Sequence, residues 1–366
     1  MKDFSGILEI EERSHVGFVR ELSHGLFPKP GDVQIAPHII VQYKLRTGVL
    51  VEGTAVESKS RSSEAKVVAH INGLTPDEWK GVKDFSRHAV ISPNEWIQLE
   101  SPQTNRSMRV VDLFCPVGKG QRALIVSPPK AGKTMLMQQL AHAVSANHPE
   151  IAVLVLLVDE RPEEVTDMQR TINGEVFASS SDSERGSQVR LAQLVLEYAK
   201  RKVEAGKDVV LLLDSLTRLG RAFNIHQKSS GRTMSGGVDI RALEIPKRIF
   251  GAARKCEGSG SLTIVATALI ETNSRMDELI FQEFKGTGNM ELVLSRDLAN
   301  ERIFPAIDLN ASGTRREELL FGSMTTAYQN LRRSLSRKSP RDAMLAVTKL
   351  LEQYPTNEKL LQKFSL

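Results

Sequence analysis

The 366-residue sequence has little of the material on which small secreted proteins or membrane proteins depend. It contains only two cysteines, Cys115 and Cys256, which are too few for a disulfide framework and favour a reducing compartment. Its longest apolar run, residues 151–158, is far shorter than the roughly 20 residues that a membrane-spanning helix needs. The N-terminus lacks a cationic stretch followed by an apolar segment. We therefore expect a cytoplasmic protein with no signal peptide and no membrane partner.

Excess charge is also scarce, because the formal net charge at pH 7 is only +5. Residues 1–100 carry 12 Lys and Arg against 14 Asp and Glu, so the positive excess lies in the remaining 266 residues. A nucleic-acid partner engages positive charge through its phosphates. Any nucleic-acid site in the first hundred residues must therefore depend on local geometry rather than on bulk charge.

Short β-prone runs, separated by Gly, Pro and Ser, occupy the first part of the chain. Runs of this length and spacing are typical of a small all-β barrel. We expect a polar loop tip at residues 58–63. The predicted strands are residues 7–10, 16–19, 33–35, 49–51 and 66–69.

From about Cys115 onward, apolar runs alternate with longer amphipathic segments. Such alternation, with runs that are apolar throughout, indicates a parallel sheet covered by helices on both faces. The predicted strands are residues 123–126, 151–158, 209–213 and 262–268, and the predicted helices are 134–145 and 188–205. The chain is thus divided into a barrel at 1–75, a connector at 76–114 and an α/β domain at 115–366.

The tail from residue 327 onward is predicted to be helical and carries a basic cluster. Charge runs on helices are more often solvated faces than binding sites, and we interpret this one as a solvated face. Its members are Arg332, Arg333, Arg337, Lys338 and Arg341.

The segment SPPKAGKT, residues 127–134, lies between a predicted strand and a predicted helix, the context that a phosphate-binding loop requires. Backbone N–H groups of such a loop and of the helix N-terminus converge on phosphate. Lys133 would reach the β- and γ-phosphates, Thr134 would ligate Mg²⁺, and Gly132 would allow close backbone approach. Ser127 replaces the usual first glycine of this motif. The alternative is a plain strand, turn and helix with a surface lysine.

Acidic and basic residues elsewhere could complete such a site. Asp214 ends the apolar strand at 209–213, where it could hold the metal through water, or could simply cap the next helix. Glu160 could polarise the attacking water, or could belong to an acidic cluster that favours a helix N-terminus. Arg315 and Arg316 lie in a polar loop from which an arginine could enter a neighbouring subunit's site. The residues alone do not choose between these two arginines and a plain surface role.

These segments together resemble the Rho family of bacterial transcription termination factors, and the matching stretches cover nearly all of residues 110–320. The resemblance implies a RecA-like P-loop ATPase core, preceded by an OB or cold-shock-like barrel, that forms a homohexamer with ATP at each subunit interface. It also implies 5′–3′ RNA translocase and helicase activity, which would release nascent single-stranded RNA from the RNA polymerase elongation complex. Among the matching stretches are GKGQR, SPPKAGKT, LLVDERPEEVTDMQR, DVVLLLDSLTRLGRAFN, EFKGTGNMEL and RIFPAIDLNASGTRREELL.

The resemblance assigns roles at the ATP site. Beside Lys133 and Asp214, Glu160 becomes the catalytic carboxylate. Arg315 becomes the finger from the next subunit, with Arg302 supporting it. Phe304 would stack on adenine. The nucleotide contacts that it implies besides these are Gly118, Lys119, Gly120, Gln121, Arg122, Ala123, Lys130, Ala131, Gly132, Thr134, Met135 and Arg161.

The resemblance also implies RNA-binding residues. A loop at 229–237 and a second loop at 284–289 would face the central channel, where Lys285 would hold backbone phosphate without reading sequence. The first loop would act through Arg232, Thr233, Met234, Ser235, Gly236 and Gly237. In the barrel, the implied RNA contacts are Phe18, Arg20, Asp32 and Gln34.

The barrel departs from the family pattern at two positions that usually carry aromatic residues. Val16 and Gln34 stand there instead. Because aromatic stacking contributes roughly 1–3 kcal/mol per base, we expect a weakened preference for pyrimidines. The helical bundle that usually precedes the family's barrel is also missing from this sequence.

Two other functions are weighed against an RNA motor. The first is a ring ATPase of the same fold that acts on another polymer, either DNA or protein. The second is an RNA-binding regulator whose ATPase has been lost. The presence of Lys133, Thr134, Glu160, Asp214 and Arg315 argues against the second.

Overall fold

The computed structural model describes residues 1–57, 63–101, 106–179, 186–226, 236–239 and 241–365. The strands of the described part are β1 (Lys2–Ile10), β2 (Gly17–Arg20), β3 (Val33–Ile35), β4 (Leu50–Glu57), β5 (Ser63–Ile71), β6 (Val90–Ile91), β7 (Arg122–Ser127), β8 (Ala152–Val158), β9 (Glu175–Ser179), β10 (Val209–Asp214), β11 (Arg254–Cys256), β12 (Ser261–Leu269), β13 (Met290–Val293) and β14 (Gly313–Thr314).

Its helices alternate with the strands after residue 105. They are α1 (Pro37–Tyr43), α2 (Pro76–Lys80), α3 (Arg106–Phe114), α4 (Lys133–Asn147), α5 (Pro162–Thr171), α6 (Ser187–Glu204), α7 (Leu216–His226), α8 (Glu244–Gly251), α9 (Arg275–Lys285), α10 (Arg296–Asn300), α11 (Glu318–Phe321), α12 (Thr325–Leu335), α13 (Pro340–Gln353) and α14 (Asn357–Gln362). Within the described residues, no helix is long and apolar enough to cross a membrane.

The first five strands form a closed barrel in the order β1-β2-β3-β5-β4. Side chains of a strand point alternately to its two faces, so Val19 is buried in the barrel core while Phe18 and Arg20 lie on the outer face. The core is completed by residues from every strand and by Trp79 of α2. This arrangement confirms the expected small barrel.

The larger sheet has the strand order β14-β13-β7-β12-β10-β8-β9, with β6 and β11 attached beside β12. The strands from β13 to β9 are parallel, whereas β14 runs antiparallel to β13 at one lateral edge. Buried side chains on its two faces form separate cores under two layers of helices. The expected α/β core with an apolar parallel sheet is confirmed.

The division into segments 1–75, 76–114 and 115–366 stays a prediction. In the structure the barrel's last strand ends at Ile71, and β6 pairs with β11 of the larger sheet although it lies in the predicted connector. Residues 58–62 of the expected loop tip lie outside the described residues, and Ser63 already belongs to β5.

A buried ion-pair cluster fastens the barrel to α6. Arg46 of the barrel donates to both carboxylate oxygens of Glu204, at 3.0 and 2.7 Å, and Arg201 lies 3.0 Å from the same carboxylate. Phe85 N–H also donates to Glu204, at 2.7 Å. At Gly48, whose φ is +94°, a Cβ atom would lie 2.3 Å from the backbone of α6, so only glycine permits this approach.

Replacing Glu204 with Ala should destabilise the protein by about 3–5 kcal/mol, because it leaves Arg201 buried without its main counter-charge. The free energy of unfolding from urea denaturation measures this. The matched control is Glu352→Ala, which removes an exposed ion pair with Arg106 and should cost about 0–1 kcal/mol. Equal losses of unfolding free energy for the two variants would contradict a stabilising role of this ion-pair cluster.

Candidate ATPase site and nucleic-acid interface

The phosphate-binding loop follows β7 and leads into α4. Gly132 is the residue that caps α4 and has φ +93°, a left-handed conformation that favours glycine. The turn leaves the N–H groups of the first turn of α4 without intrahelical partners, and these are the donors that bind phosphate. Ser127 is the last residue of β7 and is fully buried, and its hydroxyl donates to the Pro128 carbonyl at 2.9 Å.

The carboxyl ends of β7, β10 and β8 bring Lys133, Asp214 and Glu160 together, and β12 lies between β7 and β10 in the sheet. Lys133 Nζ bonds both oxygens of Asp214, with 2.6 Å to Oδ2, and lies 3.3 Å from Glu160 Oε1. The two carboxylates are almost completely buried. The ammonium group of Lys133 therefore lies between the two carboxylates, at the edge of the sheet where the phosphate-binding loop begins α4.

The pKa of Glu160 is raised, first because of its burial and then because of Asp214 and Glu164, although Lys133 and Arg218 oppose the shift. Its second oxygen, Oε2, lies 3.3 Å from Arg218 Nη1. A carboxylate whose pKa is raised is a better proton acceptor than an ordinary surface carboxylate. This is the property required of a group that activates water.

Two further residues of this site, Arg218 and Thr267, are not predicted by the sequence analysis. Arg218 lies in the first turn of α7 and also donates to the Asp159 carbonyl. Thr267 of the buried strand β12 donates to Asp214 Oδ1 at 2.7 Å. An arginine four residues after the strand-ending acid and a hydroxyl inside an apolar strand are the signals that could have revealed them.

A small apolar cavity of about 330 Å³ opens beside the phosphate-binding loop. Phe304 is 45% exposed there, and its ring lies 3.8 Å from the position that a Cβ on Gly132 would take. The cavity is lined by Gly132, Met135, Phe304 and Pro305 among others. Its size and apolar walls fit a flat heterocyclic base.

The residues expected to hold magnesium fit that ion in kind. Thr134 Oγ1 lies in the first turn of α4, 3.4 Å from Glu164 Oε2, and Asp214 supplies carboxylate oxygens at the same edge. Magnesium prefers oxygen ligands and takes few from the protein when substrate phosphates supply others. The absence, within the described residues, of a cluster of three or more metal-binding side chains is compatible with this.

Residues 118–123 lie at the opposite edge of the sheet from the phosphate-binding loop. Lys119 pairs with Asp208, which precedes β10, at 2.7 Å. Gln121 and Arg122 bond Asn289 in the loop after α9. Since β7 lies between, the structure does not bring Gly118, Lys119, Gly120, Gln121, Arg122 and Ala123 to the nucleotide of their own chain. Their predicted nucleotide contact stays a prediction that only a neighbouring subunit could fulfil.

Lys130, Ala131, Met135 and Arg161 lie on the same edge as Lys133. Lys130 has φ +66° and is exposed, Ala131 is buried, and Met135 is 59% exposed. Arg161 is exposed at the start of α5. Their predicted contact with the nucleotide is compatible with this placement and stays a prediction.

Arg315 lies at the lateral edge of the sheet, next to β14. Its backbone N–H donates to the Asn289 carbonyl at 2.9 Å, and its exposed side chain has no acidic partner within 4.0 Å among the described residues. Arg316, in contrast, donates to Ser92 Oγ at 3.0 Å and lies 3.7 Å from Glu318. The structure therefore favours Arg315 over Arg316 as the arginine available to another subunit.

Arg302 and Arg315 are not neighbours within one chain. Arg302 precedes Phe304 on the phosphate-loop edge, and the segment that follows runs antiparallel along β13 to Arg315. At about 3.3 Å per residue, the length of β13 and its flanks separates them by roughly 20 Å. Support of Arg315 by Arg302 stays a prediction that requires two subunits.

Of the first predicted channel loop the structure describes only Gly236 and Gly237, which lie near the start of α9, whereas the second loop follows the end of that helix. Gly236 approaches the Arg275 carbonyl at the start of α9, and Asn224 donates to the Gly237 carbonyl at 3.2 Å. Lys285 ends the helix, exposed, with its Nζ 5.8 Å from the centre of the Phe281 ring. Arg232, Thr233, Met234 and Ser235 lie outside the described residues.

A cavity of about 860 Å³ contains Lys285 together with Arg315. Burial, followed by the charges of Arg254 and Arg315, lowers the pKa of the nearby Arg122. Several guanidinium groups thus lie at the edge of the sheet opposite the phosphate-binding loop, together with the acidic side chains that also line the cavity, those of Glu291, Glu317 and Glu318. Lysine and arginine side chains at this edge can contact the phosphates of a polyanion.

Of the four predicted RNA contacts of the barrel, Phe18, Arg20 and Gln34 are partly exposed, whereas Asp32 is buried. Phe18 and Gln34 are paired across β2 and β3. Arg20 bonds Glu9 at 2.6 Å and Asp32 at 2.5 Å, and its guanidinium lies 5.0 Å from the Phe18 ring centre. Arg20 is therefore already engaged, so a base that stacks on Phe18 must share the ring with it.

A phosphate-binding loop after β7, an acid at the end of β10 two places away in the sheet, and a second acid after the adjacent β8, all at the carboxyl edge of one parallel sheet, define a P-loop ATPase of the RecA-like class.

The sequence comparisons agree with this class. Residues 107–314 match the model of the ATP synthase alpha/beta family, nucleotide-binding domain, and residues 4–77 match that of the Rho termination factor, RNA-binding domain. The chain is 50% identical over 360 residues to transcription termination factor Rho of Streptomyces coelicolor, covering 98% of this chain and 85% of the relative. It is 46% identical over 361 residues to that of Thermotoga maritima, covering 98% and 84%. The chain belongs to the family of transcription termination factor Rho.

Solved structures share the fold at low sequence identity. An ATPase from the type III secretion system of pathogenic bacteria superposes with a TM-score of 0.58 at 20% identity, over 76% of this chain and 87% of the other. The ATP synthase subunit NeqB from Nanoarcheaum equitans gives 0.57 at 18% identity, over 76% and 80%. These similarities support the fold alone.

Proposed function

We propose that this chain is an RNA-dependent ATPase that forms a homohexameric ring, translocates 5′–3′ along single-stranded RNA and releases nascent RNA from the RNA polymerase elongation complex. The observation that carries the proposal is the split of the catalytic groups between two places. Lys133, Asp214 and Glu160 share one edge of the sheet, while Arg315, which has no acidic partner within 4.0 Å among the described residues, lies at the other. A single chain therefore holds only half of a complete site at each place.

Hydrolysis follows from this split. ATP would occupy the loop at 127–134, with its base in the cavity beside Phe304 and its γ-phosphate at Lys133. Lys133 must then leave Asp214, which frees that carboxylate to act on a magnesium ion held with Thr134; the ion neutralises phosphate charge when bound. Glu160 would orient the attacking water, and Arg315 of the next subunit would stabilise the charge that develops on the γ-phosphate.

RNA would couple to the same ring. Lys285 ends α9 and lines the cavity that also contains Arg315. A phosphate bound by Lys285 would therefore lie close to the arginine finger. Gln121 and Arg122 hold the intervening loop through Asn289 and Thr287. The barrel face that carries Phe18, Arg20 and Gln34, with the buried Asp32 bound to Arg20, would bind a second stretch of the strand.

The proposal is tested by the ATPase rate with poly(C), poly(U) and single-stranded DNA, with the oligomer mass recorded in the same buffer. We expect a hexamer whose turnover rises with RNA. Stimulation by DNA but not by RNA would instead favour a ring ATPase of the same fold that acts on DNA. A hexamer without turnover at saturating RNA would favour the RNA-binding regulator.

Replacing Lys285 with Ala should sharply lower RNA-stimulated turnover, because a direct charge contact to phosphate is lost from the exposed end of α9. ATP binding without RNA should remain unchanged. The matched control is Lys349→Ala, which removes an exposed lysine from α13. Turnover against RNA concentration measures both, and unchanged stimulation in the Lys285 variant would remove this residue from the RNA path.

A further inference from the structure

The basic tail contains one arginine that is not part of a solvated face. Arg332 of α12 turns inward and donates to three backbone carbonyls, those of Leu309, Ser312 and Phe114, at 3.2, 2.8 and 2.5 Å. Its guanidinium also lies 5.4 Å from the centre of the Phe114 ring. The interpretation of the basic cluster as a solvated face is therefore wrong for Arg332, while Arg333, Arg337 and Lys338 are exposed.

Two of these carbonyls belong to the loop that carries Arg315, residues 308–316, which we call the finger loop. Within this loop, Ser312 donates to the Asp308 carbonyl at 2.6 Å and accepts from the Val293 N–H at 2.9 Å. Thr314 Oγ1 donates to the Pro116 carbonyl at 2.8 Å. Arg332 thus closes the outer side of a loop that β13 and the chain after α3 hold from the other sides.

Arginine suits this role because its planar guanidinium presents five donors in a fixed fork. One guanidinium reaches both finger-loop carbonyls and the end of α3, which ties the loop to the helical layer. No carboxylate lies within 4.0 Å of Arg332 among the described residues, and its guanidinium donates its hydrogen bonds to backbone carbonyls instead. A lysine could bond only part of this set, and an uncharged side chain would leave carbonyls without partners.

We propose that Arg332 is a positioning residue for hydrolysis in the adjacent subunit, which acts by fixing the finger loop so that Arg315 projects at the correct place. This inference rests on the proposed function, since it requires Arg315 to act on a neighbour's nucleotide. Only two residues separate Ser312 from Arg315, so a shift of the carbonyl anchor moves the finger. Displacement of a reacting group by about 1 Å can cost about 100-fold in rate.

The first test compares Arg332→Gln, Arg332→Lys and the control Arg333→Gln, which alters the exposed neighbour on the same helix. We expect Arg332→Gln to lower kcat about 100-fold with the KM for ATP within about twofold, because the phosphate-binding loop is untouched. Arg332→Lys should recover part of the loss, and the control should behave as the parent. A rise in KM with unchanged kcat, or equal effects in both positions, would overturn the inference.

The second test separates positioning from a general loss of folding. Subunits with Arg332→Gln are mixed with Lys133→Ala subunits, which lack turnover at their own loop but retain an intact finger. We expect mixed rings to regain turnover, because an Arg332→Gln subunit then receives a correctly placed Arg315 from its neighbour. The mixture of Arg315→Ala with Lys133→Ala sets the scale.

A different outcome is that turnover recovers when Arg315→Ala is mixed with Lys133→Ala but not when Arg332→Gln is mixed with it. That result would show that Arg332 acts within its own subunit, and it would overturn this inference while leaving the proposed function intact. Absence of recovery in both mixtures would overturn the action of Arg315 in trans, and the inference with it.

Discussion

Replacing Arg315 with Ala should lower kcat by about a thousandfold or more, because a guanidinium that stabilises the transferring phosphoryl group contributes about 10³–10⁵ in rate. The side chain is exposed and has no acidic partner within its own subunit among the described residues. Its removal should therefore leave folding, ring assembly and ATP binding intact. Steady-state turnover with saturating RNA, together with the binding of a fluorescent ATP analogue, separates these effects.

Arg316→Ala is the matched control for this experiment. Arg316 is the next residue in the chain and is also exposed, but it contacts Ser92 and Glu318 of its own subunit. It should lose little turnover. A large loss for Arg316 with a small loss for Arg315 would reverse the assignment that the contacts support.

Replacing Glu160 with Gln should abolish most of the turnover, by about 10²–10⁴ in kcat, because the amide cannot accept a proton from the attacking water. The substitution keeps the shape of the side chain and removes a buried carboxylate. The pKa of that carboxylate is raised by its burial. We therefore expect ATP to bind at least as well as before. Rapid-mixing measurements of phosphate release test the rate, and a filter-binding assay tests the affinity.

The control for Glu160 is Glu163→Gln, which neutralises an exposed acid in the first turn of α5. The parent protein should also lose turnover on acidification at a higher pH than an ordinary carboxylate would impose, because the pKa of Glu160 is raised. Residual turnover in the Glu160 variant that equals the control would exclude Glu160 as the group that orients the water.

The sequence predicts those parts of the ATP site that lie at the end of a single apolar strand or in the turn that follows it. Residues 127–134 and Asp214 follow apolar runs that can only be buried strands, so their arrival at one edge of a parallel sheet follows from topology. The same reasoning places Glu160, since β8 lies between β10 and β9. Local pattern and tertiary position agree here.

Contacts that depend on strand order were not predictable from the sequence alone. Strands β13 and β14 are four and two residues long and carry polar residues, so they give no periodic signal. Their pairing with β7 nevertheless sets the place of Arg315. The family resemblance places residues 118–123 at the nucleotide, and within one chain β7 separates them from the phosphate-binding loop, so this contact stays a prediction.

Side-chain partnerships across elements were also hidden. Arg332 belongs to a basic run that looks solvated in sequence, and only the packing of α12 against the finger loop reveals its three carbonyl partners. Arg20 of the barrel was expected to be available to RNA, whereas Glu9 and Asp32 already bind it. Charge in sequence does not reveal which charges are already paired.

The central claim is that ATP held by one subunit is cleaved with the help of Arg315 from the next. Mixing Lys133→Ala subunits with Arg315→Ala subunits tests it most directly, because each variant supplies the half-site that the other lacks. We expect that neither variant alone turns over ATP with RNA present and that mixed rings recover a measurable part of the parental rate. Mixed rings of full size that remain as inactive as the separate variants would contradict it.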